Sequence, residues 1–309
     1  MMSLGAKITG TIIKLYTYKY RKNHLSLSRS VKFKNKKYVP PKGFCFEVKE
    51  VGGTKIEILS PPAPNENYAV VHFHGGGSTQ KMNSMYRKVA EKLSKLSNAQ
   101  VYSIDYKIGE ELVYPSVHDE CYEAYLNLIS TILKGKKIIA IGDSFGANVL
   151  LSICLRLRDK QFCLPDAIIS VSCCIDLAAT GSSYEKNCHR DPLYSLPKNQ
   201  SFKEHEKDIR RIIKYIGDTS PYDRLLSPAY AEYEGFPPML IQCGEAETSE
   251  SDNDILYEKA LNSGVNVKMT KYYGMWHDFQ YLTPFLKESK QAWREIGEFI
   301  NFVMKELMP

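Results

Sequence analysis

Three short stretches carry residue types that could perform covalent chemistry together. Gly142-Asp143-Ser144-Phe145-Gly146 fits G-x-S-x-G, a pattern that exposes a serine hydroxyl on a tight turn from strand to helix. Glycines are needed on both sides because a Cβ there would clash with neighbouring backbone. His74-Gly75-Gly76-Gly77 strings three glycines together, so backbone N–H groups can approach a ligand and stabilise a developing oxyanion. A serine nucleophile needs a base, and the base needs an orienting carboxylate. Among the seven histidines, His277 lies in Tyr273–Phe279, directly after the last predicted strand. The chain order serine, acid, histidine puts the base there. His24, His118, His189 and His205 fall in helical or irregular segments. The chemistry implied is acyl transfer through a serine.

For the acid, the turn after the apolar run Met239–Cys243 offers Glu245, Glu247 and Glu250, then Asp252 and Asp254. Glu247 lies just past the strand end, from which a side chain can reach back across the sheet edge. Asp252 and Asp254 are expected one turn into a helix, facing solvent, where the helix dipole favours acids. A nucleotide site is disfavoured, because neither G-K-[ST] nor a G-x-G-x-x-G with a downstream acid is present. His72 and His74 form an H-x-H pair without an evident third ligand. Packing and hydrogen bonding explain the pair better than a metal does, so no metal and no cofactor are expected.

The elements that would position these groups follow from hydrophobic periodicity. Phe44–Val51 and Thr54–Leu59 alternate around Gly52-Gly53, a hairpin signal. Tyr68–Phe73 is continuously apolar, as a strand buried on both faces should be. Helical stripes over 81–97, 116–133, 146–158, 250–263 and 286–307 alternate with strands at Val101–Ile104, Lys137–Ile141, Ala167–Val171, Met239–Cys243 and Val265–Tyr272. Repeated strand–helix units predict a mostly parallel sheet with helices on both faces. Residues 176–235 break the rhythm, with one helical stretch near 203–216, and read as an insertion over one end of the sheet. Residues 7–20 place Ile8, Ile12 and Leu15 on one face of an amphipathic helix. Residues 29–43 read as a basic linker ending in Pro40-Pro41-Lys42-Gly43.

Composition sets the class around this core. With 309 residues, 43% hydrophobic and 25% charged, the chain is an ordinary globular one that can bury a continuous core. The net charge of +6 is unevenly spread. Residues 1–42 hold eleven Lys/Arg and no Asp or Glu, leaving 30 basic against 35 acidic residues elsewhere. Such a basic arm can signal nucleic acid or a membrane surface, but no aromatic–basic RNA motif or recognition helix accompanies it. No nucleic-acid partner is expected. The eight cysteines show neither C-x-x-C nor a framework spacing, which suits reduced thiols and a cytoplasmic location. No apolar run reaches transmembrane length and no secretory core is present, so no integral membrane segment is expected.

Over residues 68–280 the chain resembles the hormone-sensitive-lipase-like esterases of the α/β-hydrolase fold. The resemblance rests on HGGG at 74–77, Asp105-Tyr106-Lys107, Tyr114-Pro115 and GDSFG at 142–146, in that order. It continues through Ser227-Pro228, Gly235-Phe236-Pro237-Pro238, Gly264-Val265 and Gly274-Met275-x-His277. It implies Ser144 as nucleophile, His277 as base, and oxyanion N–H groups from Gly76, Gly77 and Phe145 supported by Gly75. It maps the acid to Glu247, thirty residues before His277. Members more often carry Asp at that position, which keeps Asp252 as the alternative acid. Phe145 replaces the small residue usual after the nucleophile, and Ser78-Thr79 follow HGGG where an aromatic is common.

The division implied is a cap segment at 1–42, a hydrolase core at 43–175 and 236–309, and a cap insertion at 176–235. Ile8, Ile12 and Leu15 would then pack inward as a wall of the acyl pocket. The expected activity is hydrolysis of short-chain, acetyl-type esters through a Ser-His-Glu triad, acting on a small-molecule ester, with a homodimer left open. Deacetylation of sugar acetates is the rival within the enzyme class. A non-catalytic small-molecule receptor on the same scaffold is the rival outside it, and the presence of His277 argues against that reading.

Overall fold

The computed structural model describes residues 1–21, 37–77, 79–109, 111–194, 196, 201–202 and 214–306. Eight strands form one sheet: β1 (Cys45–Val51), β2 (Thr54–Ser60), β3 (Tyr68–Phe73), β4 (Gln100–Asp105), β5 (Lys137–Asp143), β6 (Ala167–Val171), β7 (Met239–Gly244) and β8 (Val267–Tyr272). Their order is β1-β2-β4-β3-β5-β6-β7-β8. β1 and β2 make the expected hairpin, pairing Val51 with Thr54 across the two glycines, and β2 runs antiparallel to β4. All other pairs are parallel. β3 lies between β4 and β5 and every one of its residues is buried, which explains its unbroken apolar sequence.

Helices cover both faces. On one side lie α3 (Ser116–Ser130), α4 (Phe145–Asp159) and α6 (Glu250–Asn262), whose Val117, Leu151 and Leu256 share a core cluster with Ile56, Val71 and Ile241 of the strands. On the other lie α2 (Ser84–Ser97) and α8 (Lys287–Glu306), where Leu93, Trp293, Ile296 and Ile300 pack on Val70, Ile139 and Leu240. The α2 stripe begins later than its apolar pattern suggests. Asn83 caps the helix, its side chain accepting from the backbone N–H of Met85 at 2.9 Å, so Met82 is buried ahead of it. Short helices α5 (Ser183–Lys186) and α7 (Phe279–Leu282) flank the carboxyl ends of the strands. The helix expected near 203–216 lies outside the described residues apart from a 3₁₀ turn at Lys214–Ile216.

The N-terminal helix α1 (Leu4–Arg21) is present, but it packs on the face opposite to the one expected. Ile8, Ile12 and Leu15 are 53%, 61% and 69% exposed. The buried side is instead Ala6 and Thr17, with Met2 and Ile13 half-buried against Met275, Trp276 and Phe279. Small residues win this face because they allow close approach: a Cβ on Gly10 would stand 3.1 Å from the Trp276 ring. Polar bonds fix the helix at both ends. The Ser3 hydroxyl donates to Glu288 at 2.9 Å, the Thr17 hydroxyl to the Pro192 carbonyl at 2.6 Å, and the Lys14 ammonium to the His189 carbonyl.

Candidate active site

The strand-to-helix turn at the end of β5 supplies the central residue. Ser144 sits at φ +51°, a left-handed conformation that costs a non-glycine residue energy. The turn is held because its neighbours leave no other room. A Cβ on Gly146 would come 2.2 Å from the Phe73 carbonyl, and one on Gly142 would come 2.6 Å from the Gly146 carbonyl. The turn therefore lifts Ser144 over the sheet edge, with α4 beginning at Phe145 and its positive dipole end beneath the hydroxyl.

His277 follows β8 on the loop that Trp276 anchors under α1. Its Nε2 lies 2.8 Å from the Ser144 Oγ, and its Nδ1 lies 3.3 Å from Glu247 Oε2. A carboxylate can only accept, so Nδ1 carries the proton and Nε2 presents a lone pair to the serine hydroxyl. Glu247 is fully buried. Its Oε1 accepts from the Ser172 hydroxyl at 2.8 Å and from the Gly244 N–H, while the Ser249 hydroxyl donates to Oε2 at 3.3 Å.

Asp252 does not join this group. It too is fully buried, not solvent-facing as its helical position suggests. Its Oδ2 accepts from the backbone N–H groups of Ile175 and Asp176 at 2.8 and 2.9 Å and from the Tyr184 hydroxyl at 3.1 Å. A loop arriving from β6 covers the first turn of α6 and replaces the water expected there. Glu250 is buried as well, paired with Lys186 and Lys271, whereas Asp254 remains at the surface beside Lys271.

The glycine loop lies across from the serine. Gly75 is pressed against the elbow, where a Cβ would stand 2.2 Å from an Asp143 carboxylate oxygen. Gly76 is half-buried and Gly77 is exposed, with nothing within 4 Å of the place its Cβ would occupy. The loop's base is fixed by Tyr106, whose hydroxyl donates to the His74 carbonyl at 2.6 Å and whose ring stacks on the imidazole at 4.2 Å. His72 is engaged with the Ser103 hydroxyl at 3.1 Å. Ser78 lies outside the described residues, so the wall after HGGG is not defined. Phe145 packs its ring edge-on against His118 and Tyr215, with centroids 5.8 and 5.3 Å away.

Electrostatics separate the histidines. Burial pushes His74 down to about 3 and His118 down to about 4, so both are neutral imidazoles. Burial also pulls on His277, but the adjacent Asp278 and the bond to Glu247 outweigh it and hold this group well above 6.5. Asp278 Oδ2 lies 3.4 Å from the same Nε2 that faces Ser144.

Several residues at the site carry no motif. Ser172, just past β6, donates to Glu247 and accepts from the Asp278 N–H at 3.1 Å, tying the Glu247 loop to the His277 loop. Cys174 places its Sγ 3.8 Å from the Ser144 Oγ. Asn148, one turn into α4, holds the Cys174 carbonyl at 3.0 Å and accepts from His118 Nε2 at 3.0 Å. The Tyr194 ring meets the His277 imidazole edge-on at 5.2 Å. The only sequence signal for Ser172 is its place at the carboxyl end of a buried strand. Tyr194 lies in the irregular block, where periodicity offers nothing.

A mostly parallel eight-stranded sheet with a serine elbow after a central strand, and a histidine loop after the last, defines the α/β-hydrolase class. The chain belongs to it: the family model described as alpha/beta hydrolase fold matches residues 70–281, and within that fold the chain is of the hormone-sensitive-lipase-like type. It is 32% identical over 231 residues to an esterase from Acinetobacter venetianus, covering 74% of this chain and 73% of that one. It is 28% identical to an acetyl-hydrolase from Streptomyces hygroscopicus over 82% of each chain. A solved structure of an esterase from the bacterial hormone-sensitive lipase family superposes with a TM-score of 0.79 at 26% identity, over 97% of this chain and 98% of that one. The protein is a carboxylic ester hydrolase.

Proposed function

We propose that this carboxylesterase cleaves short-chain, acetyl-type esters through an acyl-enzyme, with Ser144 as nucleophile, His277 as base and Glu247 as the orienting acid. The observation that carries the reading is the 2.8 Å contact between the Ser144 Oγ and a His277 Nε2 whose other nitrogen faces a buried carboxylate. His277 accepts the Ser144 proton as Oγ attacks the ester carbonyl. The N–H groups of Gly76, Gly77 and Phe145, with Gly75 behind them, receive the oxyanion. The tetrahedral species collapses with the proton returned from Nε2 to the departing alkoxide, and water, deprotonated by the same nitrogen, releases the acid.

The acetyl preference is supported by the Streptomyces acetyl-hydrolase among the relatives. The packing of α1 on the His277 loop, and of Tyr194 beside the imidazole, supports residues 1–42 and 176–235 as a cap over residues 43–175 and 236–309. All eight cysteines are free, which suits a cytoplasmic enzyme. Ser144→Ala should reduce kcat on p-nitrophenyl acetate by about 10⁴-fold or more, the usual consequence of losing a triad nucleophile. Turnover within tenfold of wild type, about 1.4 kcal/mol of barrier, would remove Ser144 from the reaction.

A further inference from the structure

Three buried side chains outside the Ser144–His277–Glu247 group form one hydrogen-bonded line that ends beside Ser144. Tyr215 stands in the 3₁₀ turn Lys214–Ile216, inside the block that breaks the strand–helix rhythm. Its hydroxyl lies 2.8 Å from His118 Nδ1, and His118 Nε2 lies 3.0 Å from Asn148 Oδ1. The Asn148 amide then donates to the carbonyls of Cys174 and Leu226, each at 3.0 Å. The direction of every bond follows from that end. With both amide hydrogens committed to carbonyls, Asn148 can only accept through Oδ1, so His118 Nε2 carries a proton. Burial pushes His118 down to about 4, which leaves the ring neutral and Nδ1 with a lone pair. Burial also holds the Tyr215 phenol protonated, well above its ordinary value, so its hydroxyl donates to Nδ1.

The same phenol oxygen accepts from the backbone N–H groups of Val117 and His118 at 3.1 and 3.3 Å. These are the second and third residues of α3, the donors that an N-cap side chain ordinarily serves. Pro115 makes no such bond, so Tyr215 supplies it from 98 residues away. Two parts of the site lean on the line. The Phe145 ring meets His118 and Tyr215 edge-on, at 88° and 86°, which fixes the residue directly after Ser144. Cys174, whose carbonyl Asn148 holds, turns its N–H toward the Ser144 carbonyl at 3.5 Å and its Sγ toward the Ser144 Oγ at 3.8 Å.

We propose that Tyr215 is a positioning residue for ester hydrolysis, setting Phe145 and Cys174 around the Ser144 hydroxyl through His118 and Asn148. The proposal rests on Ser144 as nucleophile and on the Phe145 N–H as an oxyanion donor. A displaced donor costs rate and not ground-state affinity, because its bond strengthens as charge develops on the oxygen.

Tyr215→Phe keeps the ring against Phe145 and removes only the hydroxyl. On p-nitrophenyl acetate, at a temperature where circular dichroism shows the variant folded, kcat and kcat/KM should fall together by about tenfold, with KM within about twofold of wild type. His118→Gln, whose amide can still donate to Asn148 Oδ1, should lose less than about threefold, and His118→Leu about tenfold. Added to Asn148→Ala, Tyr215→Phe should bring little further loss, because both cut the same line. Tyr222→Phe, at an exposed tyrosine of the same block, should leave kcat unchanged. A Tyr215→Phe enzyme that melts earlier but keeps kcat within about twofold would overturn the proposal and leave Tyr215 as a helix cap alone. Losses that multiply in the double variant would overturn it as well. Ser144→Ala separates the two levels. If it is inactive while Tyr215→Phe is unimpaired, the positioning role falls and the nucleophile stands; if it retains turnover, both fall.

Discussion

Glu247 and Asp252 stand five residues apart on one acidic run, and both are fully buried, yet they serve different ends. Glu247 lies in the turn after β7, where its partners are mainly side chains and one of them is the His277 imidazole. Asp252 lies on the first turn of α6, where its partners are mainly backbone N–H groups of the loop leaving β6. In the proposed reaction one side chain faces a group that changes its protonation, whereas the other fastens a loop. Burial is common to the two. What separates them is whether the bound donor can move a proton, and that is the property to test.

The largest effect should come from Glu247→Gln. The amide keeps the shape but no longer compensates the imidazolium or selects the tautomer, so kcat on p-nitrophenyl acetate should fall by about 10³- to 10⁴-fold, with the melting temperature nearly unchanged. If Asp252→Asn collapses kcat to that extent and Glu247→Gln does not, the comparison is inverted and the acid is Asp252.

Asp252→Ala should instead appear in stability. It leaves two buried N–H groups without an acceptor, a loss of about 2–6 kcal/mol in urea unfolding at roughly 1–3 per group. Its effect on kcat should be confined to loosening the loop around Cys174. A pH series sharpens the point. Burial pushes the Asp252 carboxyl up to about 8 against the pull of the Asp176 N–H. The native state then holds a proton that the unfolded chain releases near its ordinary value of 3.8. Stability is therefore greatest below that value and declines as pH rises toward 8. Asp252→Asn should flatten this slope, and an unchanged slope would assign it to another group.

A third acidic side chain, Asp278, meets the His277 imidazole from the other side. His277 must be neutral to accept a proton, so kcat/KM should rise with pH through a midpoint above 6.5. The groups facing it are Asp278, Tyr194, Cys174 and Glu247. Burial holds the Asp278 carboxyl well above its ordinary range while His277 pulls it down, so the two share a proton 3.4 Å apart, and Asp278→Asn should lower that midpoint by about one pH unit. A midpoint that does not move would mean that Glu247 alone sets the basicity of the imidazole.

The contrast also shows which parts of the molecule could be read from sequence. The elbow was legible because its glycines are demanded by backbone contacts among β3, β5 and α4, all recognisable as elements. His277 and Glu247 were legible because both immediately follow strands. The burial of Asp252 was not, since the loop that covers it arrives from 77 residues away in the chain and periodicity within α6 contains no trace of it. The orientation of α1 failed for a related reason. Spacing of Ile8, Ile12 and Leu15 defines an apolar face but not what lies against it, and the Trp276 ring selects the side where Gly10 leaves it room.

The smallest effect should come from Asp254, one turn past Glu250 on α6. Its carboxylate lies 2.6 Å from the Lys271 ammonium, with both side chains about one-third exposed at 35% and 31%. Water competes for both ions, and Lys271 keeps a second partner in Glu250 at 3.1 Å. Asp254→Asn should therefore cost under about 1 kcal/mol and lose even that in high salt, as exposed ion pairs do. A larger, salt-insensitive loss in urea unfolding would mean that the surface end of the acidic run is as tightly tied as its buried members. The distinction drawn between Glu247 and Asp252 would then have to rest on catalysis alone.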